Sequence, residues 1–88
     1  MSIRVFANDR TYFCFEGGSA ELSFNVRGRA RTFMHVLDSQ GLDAVLLSYG
    51  ASVKLSQGAY DVQITDGVRI CFVWKDGAAE RVEIVDYH

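Results

Sequence analysis

Two cysteines are all the sequence carries, Cys14 and Cys71, and they are not set at the spacing of a metal site. In a reducing compartment they read as small buried hydrophobes rather than as a disulfide. No apolar run approaches the roughly 20 residues that a membrane-spanning helix needs, and the N-terminus has no signal-peptide apolar core. A cytosolic chain without membrane contact is the expectation. Cationic excess is also missing: nine Lys and Arg stand against eleven Asp and Glu, a formal charge of -2. That balance excludes an indiscriminate nucleic-acid binder, whose affinity comes from cations displacing counterions from phosphates. No Gly-rich phosphate loop follows a strand, and no His, Cys and carboxylate cluster has ligand spacing, so no cofactor and no metal is implied.

What is present is an ordinary globular mixture, 49% hydrophobic and 23% charged over 88 residues. That length suits a single domain spanning residues 1–88. The one dense group of cations is Arg27, Arg29 and Arg31, whereas acids dominate the C-terminal quarter.

Ile3 and Val5 alternate with polar or solvent-tolerant neighbours and predict a short first strand. The stretch from Asn8 to Phe15 supports two readings. Thr11, Tyr12, Phe13 and Phe15 favour a strand, while Asn8 can cap a helix that puts Tyr12 and Phe15 on one face. From Leu22 to Leu37, the residues Val26, Ala30, Phe33 and Leu37 recur at helical spacing, with Gly41 placed to end the helix. Arg27 and Arg31 lie one turn apart on another face of it, directed to solvent or to a partner. His35, in the same helix, reads as structural or solvated. Leu42 to Leu47 predicts a further helical turn, and Tyr49 to Gly58 a connection.

The periodicity then switches to two. Tyr60, Val62 and Ile64, then Val68, Ile70, Phe72 and Trp74, then Val82 and Ile84, each alternate with a second set of side chains. Three strands of an antiparallel meander follow. Two-residue loops at Asp66-Gly67 and Asp76-Gly77 would set inward residues opposite outward ones, so three-residue loops, Thr65-Asp66-Gly67 and Lys75-Asp76-Gly77, are expected in both hairpins. Arg69, Val85 and Tyr87 would then share the face opposite Ile70, Phe72 and Ile84.

The run from Val68 to Gly77, with its Arg-Ile-Cys-Phe strand and Trp-Lys-Asp-Gly turn, is followed by Val82-Glu83-Ile84-Val85-Asp86-Tyr87-His88. Together they resemble the C-terminal half of HigB/RelE-type bacterial toxins, with the match concentrated in residues 62–88. The resemblance implies an α+β fold, two N-terminal helices packed on a small antiparallel β-sheet, with Asn8 to Phe15 helical. It implies a toxin of a type II toxin–antitoxin system. Such a toxin cleaves messenger RNA in the ribosomal decoding site and is neutralised by a helix-turn-helix antitoxin, with which it forms a hetero-oligomer. The alternative within the same fold is a module that binds the antitoxin or RNA without cutting. A small ligand- or partner-binding domain that converged on part of the pattern is the remaining reading.

In this chemistry the RNA 2′-hydroxyl attacks the adjacent phosphate, and the protein orients it, stabilises phosphoryl charge and moves protons. The resemblance assigns the phosphate to Arg69, whose planar fork suits it, and proton transfer to His88, which titrates near neutrality. Tyr87 would stack on a base or position the hydroxyl, and Asp86 would orient His88. The structural alternative for Arg69 is an ion pair with Glu83 or another acid across the sheet. Where the family carries a basic loop, this chain has Ser52 to Gly58, with no His and with Lys54 as its only cation. Lys54, Arg27 and Arg31 are therefore the candidate RNA contacts.

Overall fold

The computed structural model describes residues 2–18 and 22–86. Three helices precede the sheet: α1 (Asp9–Phe15), α2 (Phe24–Gln40) and α3 (Leu42–Tyr49). A single 3-10 turn, Gly50–Ser52, leads into the strands β1 (Val53–Ser56), β2 (Ala59–Thr65), β3 (Val68–Lys75) and β4 (Ala78–Asp86). The strands pair antiparallel in the order β1-β2-β3-β4. This is the expected α+β arrangement of helices followed by an antiparallel sheet, with the further helical turn expected at Leu42 to Leu47 formed as α3.

Of the two readings of the N-terminal stretch, the helix is the one formed. The Asn8 side chain accepts from the Thr11 amide at 2.9 Å and from the Thr11 hydroxyl at 2.7 Å, a side-chain cap of an otherwise unpaired helix start. Tyr12 and Phe15 both pack against Phe6, with ring centroids 5.4 Å and 5.2 Å away. In α2, Ser23 caps the first turn, and Ala30, Phe33, Met34 and Leu37 are fully buried. Gly41 closes the helix at φ 86, a conformation that glycine adopts without a Cβ penalty. His35 stacks on Phe15 at 4.4 Å, and its Nε2 lies 3.1 Å from the Phe15 carbonyl oxygen, so it joins α2 to the end of α1.

The core lies between the helices and one face of the sheet. Phe33 meets Tyr49 edge-on at 5.0 Å and approaches Phe72, which stacks on Tyr60 at 5.3 Å. Val62, Ile70, Phe72, Val82 and Ile84 complete that layer.

Three expectations are corrected. Residues 49–58 hold a short fourth strand, β1, which pairs Val53–Ser56 with Val62–Ala59. Its two apolar positions are too few to show a period. Second, the segment around Ile3 and Val5 is not a regular strand. It runs parallel beside β4 through single bridges, Ile3 to Ala79 and Phe6 to Val82, separated where β4 bulges.

The third correction concerns the hairpins. Both hairpins turn on two residues and not on the three expected: in β2–β3 Thr65 stands opposite Val68 around Asp66-Gly67, with Gly67 at φ 73, and an extra residue at Ile64 restores the expected register of Val62 opposite Ile70. The β3–β4 hairpin has the two-residue turn Asp76-Gly77, with φ of 52 and 78, flanked by Lys75 opposite Ala78. Positive φ at both central residues matches the strand twist. The parity this breaks is restored three residues after Ala78 by the bulge at Arg81, φ 55, after which Ile70 faces Ile84.

Candidate functional site

Because side chains alternate across a strand, the residues opposite in parity to the core form the second face of the sheet. Of these, Lys54, Asp61, Gln63, Arg69, Cys71, Glu83 and Val85 are all half-buried or exposed, so no helix covers them. Lys54 lies opposite Asp61, Asp61 opposite Cys71, and Cys71 opposite Glu83, which makes one row across all four strands. The neighbouring row sets Gln63 opposite Arg69 and Arg69 opposite Val85.

Arg69 Nη1 donates to Asp61 Oδ1 at 3.1 Å, across the diagonal between the rows. The acid that meets Arg69 is thus Asp61 and not Glu83, which stands on the other diagonal, across β4. One hydrogen bond uses one of the five guanidinium N–H groups, and the side chain is 25% exposed. Lys54 carries its ammonium on the same face with no ion pair. The open face therefore holds two cations, Arg69 and Lys54, and two carboxylates, Asp61 and Glu83.

Cys71 sits between Asp61 and Glu83. Burial pushes its thiol up, and the two carboxylates push it further in the same direction against the smaller opposing pull of Arg69. It is a poor nucleophile at neutral pH. Cys14 is buried and its thiol is also raised, chiefly by burial. Both cysteines are free, and Cys71 is half-exposed on the open face, not the buried hydrophobe expected.

Asp86 has the other parity. It stands opposite Val68 on the core side, and its Oδ2 lies 3.1 Å from Arg10 Nη2 of α1. The fold thus separates Arg69 from Asp86 by placing their side chains on opposite faces of the sheet. Tyr87 and His88 lie outside the described residues. Arg27 and Arg31 project from α2: the Arg27 guanidinium lies 5.2 Å over the Phe24 ring, and Arg31 reaches the end of α1 at Gly17. Among the described sequence candidates, Arg69 and Lys54 share the open sheet face, and Arg27 and Arg31 lie apart from it on α2.

Sequence reasoning missed Asp61 and Gln63, which only the β2–β3 register brings to Arg69. It also passed over Arg29 as a separate contact. Arg29 lines a shallow cleft of about 420 Å³ with Ser52, Gln63, Thr65 and Asp66 at the end of the sheet. Among the described residues no group of three or more His, Cys, Asp or Glu is placed to hold a metal ion. No helix among them is long and apolar enough to cross a membrane. Comparison with protein-family models, with curated proteins and with solved structures finds no match to this chain.

Proposed function

We propose that this chain is the toxin of a two-gene toxin–antitoxin module, cutting ribosome-bound messenger RNA with the RNA's own 2′-hydroxyl as nucleophile. The reading rests on the resemblance over residues 62–88, whose described part forms β2, β3 and β4. The observation that carries it is the position of Arg69, the second residue of β3, on the face that the helices leave open, with one N–H donated to Asp61. A guanidinium there would grip the scissile phosphate and stabilise the charge that develops on its oxygens, while Lys54 adds a second cation. Asp86, Tyr87 and His88 belong to the proposal through the resemblance alone. The partner in this reading is a helix-turn-helix antitoxin.

The second reading, a module that binds RNA or the antitoxin without cutting, is favoured by the ion pairs. Arg69 is engaged by Asp61 on one face and Asp86 by Arg10 on the other. Induced expression of the untagged chain beside Arg69→Ala separates the two, read as growth and as new messenger RNA ends. Arrest with new ends, lost in Arg69→Ala while its circular dichroism is unchanged, supports the toxin. A soluble, folded wild type that arrests nothing and cuts nothing replaces it with the non-cutting module.

A further inference from the structure

The open face does not end at Arg69. Gln63, directly opposite Arg69, also lines the cleft that contains Arg29. Because β1 pairs only as far as Val53 opposite Val62, β2 runs on past it, and Arg29 comes over from α2 to that uncovered end. A second cleft of about 460 Å³ shares Arg29 and Ile64 with the first and continues past Gly28 and Tyr49 to Phe24. Gly28 keeps its floor open, since nothing lies within 4 Å of where a Cβ would stand.

Two features of this path select its occupant. Arg27, Arg29 and Arg31 have no ion pair among the described residues, and α2 has no acid in its first turn. Phe24 is 83% exposed, far more than its hydrophobicity warrants, and Arg27 lies over its ring, leaving the opposite face free. A flat ring backed by a guanidinium is a platform for a nucleobase, and a cation one step away is a seat for the phosphate between bases. An acidic protein segment would meet the cations equally but would leave the exposed ring without a planar partner.

We infer that single-stranded RNA runs from Arg69 across Gln63 into the α2 cleft, with a phosphate on Arg29 and a base stacked on Phe24. This deepens the proposed function by giving the substrate a second anchor away from the bond that is cut. It holds for binding whether or not cleavage occurs.

The test uses fluorescence anisotropy with labelled decamers of 2′-O-methyl adenylate and 2′-O-methyl uridylate, which cannot be cut at a blocked 2′ position. The wild type should bind both, adenylate more tightly because purines stack better. Arg29→Ala should weaken both about five- to tenfold and reduce the salt slope by about 0.7, the value for one phosphate contact on a single strand. Phe24→Ala, at an exposed position, should weaken adenylate about fivefold or more and uridylate less. Lys75→Ala, on the other hairpin, should bind within about twofold of the parent on this reading.

Wild-type affinity in both Arg29→Ala and Phe24→Ala overturns the path, as does a wild type that binds neither decamer at low salt. A decamer of glutamate that binds as tightly as RNA and is lost in Arg29→Ala would assign the surface to an acidic protein instead. Mapping of messenger RNA ends in cells reads the proposed function separately: no cutting with intact decamer binding removes the nuclease and leaves the path.

Discussion

Arg69 and Asp61 meet across the β2–β3 pairing at 3.1 Å, on the sheet face that no helix covers, with Lys54 directly opposite Asp61. Both partners are partly exposed, with side-chain accessibilities of 25% and 32%, so water and salt weaken the pair. An anion arriving at Arg69 competes with the carboxylate that already occupies one N–H. Asp61 thereby sets the threshold for any phosphate at this site.

Asp61→Asn should therefore tighten binding of a 2′-O-methyl RNA decamer by about three- to tenfold, because the amide oxygen keeps the hydrogen bond while the opposing charge is removed. Glu83→Gln removes the same charge from the same face without touching Arg69. Equal gains in both variants would mean that only net charge matters and that the Arg69–Asp61 contact has no special part.

Cys71 offers a pH-dependent readout of the same face. Its raised thiol holds less thiolate at pH 8 than an ordinary cysteine, so alkylation by iodoacetamide should be slower than for a free cysteine peptide and should rise with pH over a higher range. Asp61→Asn removes one of the groups that raise the thiol, and the rate profile should move to lower pH. An unmoved profile would place Asp61 too far from Cys71 to act on it.

A buried hydroxyl ties α1 to β4, in addition to the Arg10–Asp86 ion pair. Thr11 is fully buried, donates to Asn8 and accepts from the Ile84 amide at 3.0 Å, taking up the β4 edge just beyond the last parallel bridge at Val82. Thr11→Val keeps the shape and leaves that amide without a partner. A loss of about 1 to 3 kcal/mol is expected, read as a lower urea midpoint at unchanged slope. Full stability in the variant would show that the amide has another acceptor.

The turn Asp76-Gly77 has positive φ at both positions, 52 and 78. Gly77→Ala should cost about 1 kcal/mol and Asp76→Asn should raise stability by a few tenths of a kcal/mol, since asparagine tolerates this region better. Urea midpoints of the two variants, moving in opposite directions, would bear this out. A destabilised Asp76→Asn would argue for a different turn.

Much of this architecture is legible in the residues. The spacing of Ala30, Phe33 and Leu37 with Gly41 beyond them places α2, and alternation through Ile70 and Ile84 places β3 and β4. The two-residue turns were not legible, because parity can be repaired within a strand as well as in its turn, and the repairs at Ile64 and Arg81 have no Gly or Pro to announce them. The N-terminal segment hid its partner, since parallel pairing with β4 leaves no local pattern in either stretch. At the site, Arg69 was found through resemblance. Its contact with Asp61 depends on a register that fixes which of several acids lies on the diagonal, and Asp86 fell on the other face by the same arithmetic.

The parallel pairing of residues 2–7 with β4 has a consequence for how the protein is made. Thr11 bonds a residue 73 positions later, and Arg4 takes its acceptor from Ala79. A growing chain on the ribosome has the helices and the first hairpin in hand long before β4 exists, with the inner edge of the sheet uncovered. Contacts this distant in sequence slow the final step. The open face that carries Arg69 is assembled only when β4 slides between β3 and residues 2–7, so newly made chains stay incomplete until translation has passed β4.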